Sequence, residues 1–354
     1  MFRSAPLKVS TVLAVLALGC ASKDQPDDAQ NSDAAGQGAS TSAGPGSAAA
    51  STGAGGSFGG GHVQAAIDAA THDDACAAVA PFYWEIGGVD KTVVSGSTGD
   101  GSVTASTQMK IASGTKLLWG AYVIERFRDD PDLIDVDAMT MRSGYTAFSD
   151  CGATKTVAGC LALGENGDQD PAAVGRFHYG GGHYQRYGVE LGLGPDTNAA
   201  LASELGELLG ADLDVGFWTP QIAAGIELSA DRYALFLRKV LAGELGVASY
   251  LGKDATCTLP GTCPTADSSP VPEDWHYSHG HWVEDDAATG DGAFSSPGLF
   301  GFYPWIGASK NLYGIVARFD PVHALEKQVE ETSYWKSVLC GRAIRKAFVD
   351  GAAP

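Results

Sequence analysis

The spacing of apolar residues divides the chain after residue 61 into helical and extended segments. Helical periodicity recurs in five segments, residues 63–70, 108–127, 198–209, 229–245 and 332–348. Strand-like runs also recur in five segments, residues 77–87, 91–95, 275–283, 298–306 and 312–318. Strands lie near both ends of the chain, and helices lie between them. This order predicts an α/β fold of the α+β type: an antiparallel sheet built from both chain ends, flanked by helices, with an inserted mainly helical region.

The N-terminus has the form of a signal peptide. Basic residues precede an apolar run, residues 9–18, that is too short to cross a bilayer as a helix and that leads to Cys20. We interpret residues 1–19 as a lipoprotein signal and Cys20 as the lipidated residue. Ordinary secretion is the alternative, because Ala17 and Leu18 depart from the usual residues before such a cysteine. Either interpretation predicts export; a lipid on Cys20 would hold the protein on a bacterial membrane, facing the periplasm or the cell surface.

Residues 20–61 differ in composition from the rest of the chain. After Cys20 they are mainly Ala, Gly, Ser, Asp and Gln, with no aromatic residue before Phe58. Such a segment cannot bury enough apolar surface to offset its conformational entropy. We therefore expect residues 20–61 to be a flexible linker and residues 62–354 to form a single domain.

The net charge limits the classes of partner. At pH 7 the chain carries a formal net charge of −19. Nucleic acids and anionic lipid surfaces are bound through basic patches, so this charge argues against both as partners. The expected partners are a small-molecule, peptide or ester substrate and the membrane that holds the lipid.

Six cysteines remain after Cys20, and an even number in an exported chain indicates disulfide bonds. Two pairs of cysteines are close in sequence, within predicted loops rich in Gly, Pro and Thr. The economical pairing is Cys151–Cys160 and Cys257–Cys263, which leaves Cys76–Cys340. Closing that long loop would remove much of the entropy of the unfolded chain and so stabilise the domain in the chain-entropy model.

No metal site is expected. The cysteines and histidines lack the C-x-x-C and H-x-x-x-H spacings of common zinc sites. The three histidines nearest one another are His276, His279 and His281, with no carboxylate or thiolate placed to complete a set of ligands. The simpler interpretation is an exposed strand face.

Ser113 and Lys116 form the strongest local chemical signal. One helical turn apart, their hydroxyl and amine lie on one face of the predicted helix. Serine becomes nucleophilic when a neighbouring base takes its proton, and a lysine whose pKa is lowered by burial can be that base. The helix N-terminus adds partial positive charge where an oxyanion would develop. The alternative is a serine that only begins the helix, with Lys116 in solvent.

Four segments in order resemble the penicillin-binding-protein family, which includes class C β-lactamases, DD-peptidases and related esterases. Residues 108–116, Q-M-K-I-A-S-G-T-K, resemble its nucleophile segment. Residues 176–184, R-F-H-Y-G-G-G-H-Y, resemble its F-x-Y-x-N-x-x-Y segment and place Tyr179 on the catalytic tyrosine. Residues 223–233, A-A-G-I-E-L-S-A-D-R-Y, are similar to the run before a surface helix. Residues 294–301, F-S-S-P-G-L-F-G, stand at the K/H-x-G strand.

This resemblance implies a serine hydrolase that acts through an acyl-enzyme. Ser113 would be the nucleophile, Lys116 the base, and Tyr179 the residue that relays a proton to the leaving group. The backbone N–H groups of Ser113 and Leu299 would form the oxyanion hole. No metal or organic cofactor is implied.

Two positions depart from the family pattern. Gly181 replaces the family's asparagine, and Ser296 replaces its lysine or histidine, whereas the motif glycine is retained as Gly298. A cation at the position of Ser296 normally meets a substrate carboxylate, and a serine offers only a hydrogen bond. We expect Gly181, Ser296 and Gly298 to be substrate-binding positions.

The substrate of such an enzyme stays open among an ester, a D-alanyl peptide and a β-lactam. Because of the two departures, the alternative function is a catalytically impaired surface lipoprotein that uses the fold as a binding or scaffold module.

Overall fold

A computed structural model describes Ser51–Thr52 and residues 59–352. The predicted signal peptide, Cys20 and most of the predicted linker lie outside these residues. The helices are α1 Gly60–His72, α2 Asp74–Ala77, α3 Thr115–Arg126, α4 Val136–Met139, α5 Val157–Leu161, α6 Gly182–Gly188, α7 Asn198–Leu209, α8 Ala230–Leu241 and α9 Ser333–Asp350. Within the described ranges, no helix is long and apolar enough to span a bilayer.

The strands come mostly before α3 or after α8. They are β1 Ser51–Thr52, β2 Phe82–Gly87, β3 Thr92–Thr98, β4 Met109–Lys110, β5 Phe177–His178, β6 Gly216–Phe217, β7 Ile226–Leu228, β8 Thr256–Cys257, β9 Ala266–Ser268, β10 His276–Ser278, β11 His281–Glu284, β12 Ala293–Ser295, β13 Tyr303–Ile306 and β14 Tyr313–Ala317.

Nine strands form one antiparallel sheet, in the order β1-β3-β2-β14-β13-β12-β11-β10-β8. The early strand β2 pairs with the late strand β14, with Glu85 opposite Ile315. A sheet built from both chain ends, with a mainly helical region inserted between them, is therefore confirmed. The remaining strands form a small sheet, β4-β7-β6, and a parallel pair, β5-β9.

Helices cover both faces of the large sheet. On one face, a Cβ atom on Gly341 of α9 would come within 2.5 Å of Tyr303, which pairs with Val316 of β14. On the other face, Arg238 of α8 donates a hydrogen bond of 2.9 Å to the Tyr313 hydroxyl. Successive residues of a strand point to opposite faces, so Tyr313 and Val316 face different helices. Coverage of both faces explains why every residue of β2 and β14 is buried.

Helix α3 lies in the interior of the inserted region. All of residues 115–124 are buried, as expected for a helix that is surrounded by protein on every side. It meets the turn between β10 and β11 at very close range: a Cβ atom on Gly120 would lie 2.3 Å from the His279 carbonyl oxygen. Gly280 in this turn has a φ of 83°, a conformation that favours glycine.

The structure corrects two strand predictions. Residues 275–283, expected as one strand, form the hairpin of β10 and β11, because the left-handed backbone at Gly280 reverses the chain. Residues 298–306 were expected to be extended throughout, but the strand begins at Tyr303, since the preceding segment turns with Gly301 at a φ of 101°.

The hairpin also changes the interpretation of its histidines. His279 and His281 are fully buried, so the expectation of an exposed strand face is wrong for both. His279 Nε2 lies 3.0 Å from Asp254, and the His281 Nε2 atom accepts a hydrogen bond of 3.0 Å from the Gly252 N–H. Among the residues that the structure describes, no three His, Cys, Asp or Glu side chains group as a metal site.

Three disulfide bonds join the same pairs that the cysteine spacing favours: Cys76–Cys340, Cys151–Cys160 and Cys257–Cys263. The first connects α2 to α9, with the two Cα atoms 4.5 Å apart. It therefore ties the helix that comes before β2 to the helix that follows β14.

Candidate active site

Ser113 lies in a tight turn between β4 and α3. The Ile111 N–H donates to the Ile226 carbonyl oxygen at 3.1 Å, which fixes the chain beside the small sheet before it turns. A single 3₁₀ turn, Ala112–Gly114, then leads into the helix. Ala112 has a φ of 45°, a left-handed conformation that costs a non-glycine residue on the order of 1 kcal/mol. Such strained conformations concentrate at functional sites.

Lys116 is directed at Ser113 from the first turn of α3. Its Nζ atom donates to Ser113 Oγ at 2.8 Å and to the Ala223 carbonyl oxygen at 3.1 Å. Only 4% of the residue is exposed, and burial lowers the pKa of the amine to about 7. About half of the lysines are then neutral at pH 7 and able to accept a proton.

Tyr179 follows β5 and reaches the same point. Its ring stacks on Trp282, with centroids 5.1 Å apart, and the Lys116 Nζ atom lies 4.9 Å from the ring centroid. Burial raises the pKa of the Tyr179 hydroxyl to about 12, although hydrogen bonding with Ser113 opposes part of the rise. The hydroxyl is thus protonated at neutral pH, and Lys116, not Tyr179, is the available base.

Ser296 and Gly298, which come just after β12, contact the turn that carries Ser113. The Ser296 hydroxyl donates to the carbonyl oxygen of Ser113 at 2.8 Å and lies 3.5 Å from that of Gly280. A Cβ atom on Gly298 would lie 2.1 Å from the Ile111 carbonyl oxygen, so only glycine allows this approach. Ser296 is only 2% exposed, and its hydroxyl is therefore bound to the backbone of Ser113 and is not free in solvent.

Gly181 immediately precedes α6. A Cβ atom there would lie 2.9 Å from the Phe148 ring and 3.5 Å from the Gln221 amide nitrogen. Phe148 thus fills the space into which a longer side chain would extend. The second hydrogen bond of Lys116 goes instead to the backbone at Ala223.

A small cavity of about 60 Å³ opens at Ser113. Its lining consists of Ser113, Tyr179, Pro270, Val271, Trp282, Pro297, Leu299 and Tyr334. Leu299 and Ser113 therefore border one space, as an oxyanion hole built from their N–H groups requires. A larger groove of about 690 Å³, lined in part by Lys110, Arg318 and Phe319, does not include Ser113. We place the site at the smaller cavity because the reactive groups converge there.

Several contributors to this site were missed from the sequence. Trp282 supports the Tyr179 ring, and Ala223 binds Lys116 through a backbone oxygen that has no side-chain signature. Tyr334 of α9 closes the cavity by donating a hydrogen bond to the Pro270 carbonyl oxygen. The one sequence signal for Tyr334 was an aromatic residue at the start of the closing helix. That signal does not indicate which cavity the residue borders.

Comparison with family models and with curated protein sequences gives no match. Solved structures do match over most of the chain. A protein from Bacteroides dorei described as a β-lactamase is 19% identical and has a TM-score of 0.56, over 76% of this chain and 93% of that one. The chain has a β-lactamase-like fold. The resemblance to penicillin-binding proteins and β-lactamases predicted from the sequence motifs is thereby confirmed for the fold.

Other solved structures share this fold at lower sequence identity. EstCE1, a hydrolase with promiscuous acyltransferase activity, is 12% identical with a TM-score of 0.55, over 81% of this chain and 96% of its own. FmtA from Staphylococcus aureus is 12% identical with a TM-score of 0.51, over 78% and 85% of the two chains. At these identities the likeness concerns the fold, and the chemistry must be argued from the site.

Proposed function

We propose that the protein is a serine hydrolase that forms an acyl-enzyme on Ser113. The observation that carries this proposal is the enclosed Lys116 amine, 2.8 Å from the Ser113 hydroxyl and with a pKa lowered to about 7. If Ser113 served only to begin the helix, we would expect Lys116 to lie in solvent, where its amine stays charged. Hydrolases among the neighbours of the same fold support the general kind of reaction.

In the proposed reaction, Ser113 Oγ attacks the carbonyl carbon while its proton passes to the neutral Lys116 amine. The bond from that carbon to the leaving group breaks, and the leaving group takes a proton from the Tyr179 hydroxyl. Tyr179 regains a proton from the Lys116 ammonium. Water then attacks the acyl-enzyme with Lys116 as base, which releases the acid and restores Ser113.

The developing oxyanion requires donors aimed at it. We assign this role to the backbone N–H groups of Ser113 and Leu299, both of which belong to residues that line the cavity. Gly298 lies in close contact with Ile111, and this contact keeps the neighbouring Leu299 beside the turn that carries Ser113. The positive end of α3 adds to the same field.

A fluorophosphonate probe tests the proposal directly. We expect covalent labelling of the wild-type protein and none of Ser113→Ala. Ser337→Ala is a matched control, because it removes a buried hydroxyl that has no hydrogen-bond partner within the described residues. Absence of labelling in a wild-type protein shown by circular dichroism to be folded would favour the alternative, a binding or scaffold module.

We further propose that a lipid on Cys20 anchors the protein to a membrane. The support is the basic and apolar sequence before this cysteine. Expressed as the full chain in a bacterium, the wild-type protein should enter the detergent-rich phase of a Triton X-114 separation. Cys20→Ala should remain in the aqueous phase, and equal partitioning of the two would contradict lipidation.

A further inference from the structure

We propose that the substrate is an uncharged ester with a small apolar acyl group. This inference rests on the proposed acyl transfer at Ser113 and adds the class of molecule that the site accepts. It depends on the lining of the cavity, on where the nearby polar groups are already engaged, and on the size of the space.

The cavity at Ser113 offers no charged side chain to a substrate. Five of its eight lining residues are Pro270, Val271, Trp282, Pro297 and Leu299, which have apolar side chains apart from the indole N–H. The remaining three carry hydroxyl groups, and each hydroxyl has a use.

The Tyr334 hydroxyl donates to the Pro270 carbonyl oxygen, so it is already bound to the backbone. The Ser113 and Tyr179 hydroxyls are the groups that we assign to the chemistry. The Trp282 indole N–H is hydrogen-bonded to Tyr179. A second polar group on the acyl chain would therefore find no free side-chain partner in this lining. Leaving that group unpaired costs about 1–3 kcal/mol, or roughly 5- to 150-fold in affinity.

The nearby cations are not available to hold a carboxylate. Lys116 is bound to Ser113 Oγ and to the Ala223 carbonyl oxygen, and it must lose its charge to act as the base. Lys110 lies over the Trp218 ring, 4.3 Å from its centroid. Ser296, at the position where the related enzymes have a cation, directs its hydroxyl at the backbone of Ser113.

The charge of the whole chain acts in the same direction. With a formal net charge of −19, the protein repels anions as they approach. An anionic substrate would therefore meet repulsion at long range and an unpartnered, apolar cavity at short range. A neutral substrate meets neither.

The volume of the cavity limits the acyl group. About 60 Å³ of space corresponds to a few atoms, since a single water requires on the order of 10–15 Å³ by a comparable measure. The acyl group stays bonded to Ser113 until water releases it, whereas the alcohol leaves past Tyr179. During that time the acyl group occupies the space beside Ser113, and we therefore expect acyl chains of about two to four carbons to fit best.

The overall reaction is balanced without a cofactor or an oxidant. The Ser113 Oγ–carbon bond forms as the ester carbon–oxygen bond breaks, and the alcohol leaves with a proton supplied through Tyr179. A water molecule then supplies the oxygen of the carboxylic acid and returns a proton to Ser113. Ester and water become acid and alcohol.

Two esters of matched length test the charge preference. 4-Nitrophenyl butyrate and mono-4-nitrophenyl succinate share a leaving group and a four-carbon acyl chain, but only the succinate ends in a carboxylate. We expect kcat/KM for the butyrate to exceed that for the succinate by at least about tenfold. 4-Nitrophenyl octanoate, which is too long for the cavity, should also fall below the butyrate. Ser113→Ala, measured on every ester, gives the background.

The outcomes separate this inference from the proposed function. Turnover that depends on Ser113 but is equal or faster with the succinyl ester, or fastest with the octanoate, overturns the substrate class and leaves the hydrolase intact. Equal rates for wild type and Ser113→Ala on all three esters overturn both.

A charge placed at the rim provides a second measurement. Tyr334 is only partly buried, so we compare Tyr334→Lys with Tyr334→Met, which is of similar length and uncharged. Lysine should raise the succinate-to-butyrate ratio of kcat/KM about fivefold above that of the methionine variant. The same ratio in both variants would show that the missing cation does not set the preference.

Discussion

At Lys116, burial makes the reaction pH-dependent. In the proposed mechanism the neutral amine is the base, and burial lowers its pKa to about 7 from the usual value near 10.5. Protonation below pH 7 therefore removes the base, and kcat/KM for an ester should rise with pH to a plateau, with a midpoint near 7. A profile from pH 5 to 9 measures this. A rate that still rises without a plateau at pH 9 would show that the Lys116 amine keeps its usual pKa, and a flat profile would contradict a base that titrates near 7.

Ser296 should position the nucleophile through the backbone. Ser296→Ala removes the hydrogen bond to the Ser113 carbonyl oxygen, and we expect kcat to fall by about tenfold with KM little changed. Steady-state kinetics on a neutral ester separate the two parameters, and Ser296→Thr should recover part of the loss. If KM rose while kcat held, Ser296 would instead be a direct substrate contact.

The sequence was sufficient to find the side chains of the site but not their backbone partners. Ser113, Lys116 and Tyr179 belong to short motifs that stand in the same order as in the family they resemble, and the structure brings them together. Ala223 acts through a carbonyl oxygen, which every residue possesses. The direction of the Ser296 hydroxyl depends on a turn 183 residues away in sequence, and no local pattern contains that information.

Among the elements, α3 depends on close contact with the β10–β11 turn. Gly120→Ala would place a methyl group 2.3 Å from the His279 carbonyl oxygen, and we expect it to destabilise the protein by about 1–3 kcal/mol. Thermal or urea unfolding measures the change. Gly206→Ala in α7 is the matched control, because its methyl group meets only an ordinary contact of 3.8 Å.

The control substitution should be neutral or stabilising by up to about 1 kcal/mol, owing to the better helix propensity of alanine. Equal effects of the two substitutions would mean that α3 can move away from the turn. In that case the position of Lys116, one turn before Gly120, would not depend on this contact.

Helices were easier to predict than strands, and the reason is local. The apolar periodicity of residues 198–209 gave the bounds of α7 as Asn198–Leu209, since a helix is held by bonds within its own segment. Residues 275–283 have continuous strand-like composition, yet Gly280 reverses the chain there. Whether a glycine takes positive φ depends on partners distant in sequence, here the backbone of α3.

The whole molecule is held by pairing between the early and late parts of the chain. That arrangement was predictable because segments with a strand-like pattern lie near both ends of the chain and segments with helical periodicity lie between them. In the structure β2 pairs with β14, and the Cys76–Cys340 bond connects the same regions covalently.

Removing that bond should cost more stability than removing a short one. The sequence separation is 264 residues for Cys76–Cys340 and 6 for Cys257–Cys263. In the chain-entropy model, replacing both cysteines of the long loop by alanine should cost about 5–6 kcal/mol, against about 2 kcal/mol for the short loop. Urea unfolding of the two double variants tests this order. Equal losses would show that the denatured chain already keeps its ends together.

The Cys76–Cys340 bond also makes the chain between α2 and α9 a closed covalent ring. Exposed loops are the usual sites of proteolytic cleavage, and a single cut within this ring opens the loop without releasing a fragment. Ser113, Lys116, Tyr179 and Leu299 all lie inside it. A protein exported from the cytoplasm, as we expect for this one, is exposed to proteases there, and a molecule cut once would keep these four residues in one covalently connected chain.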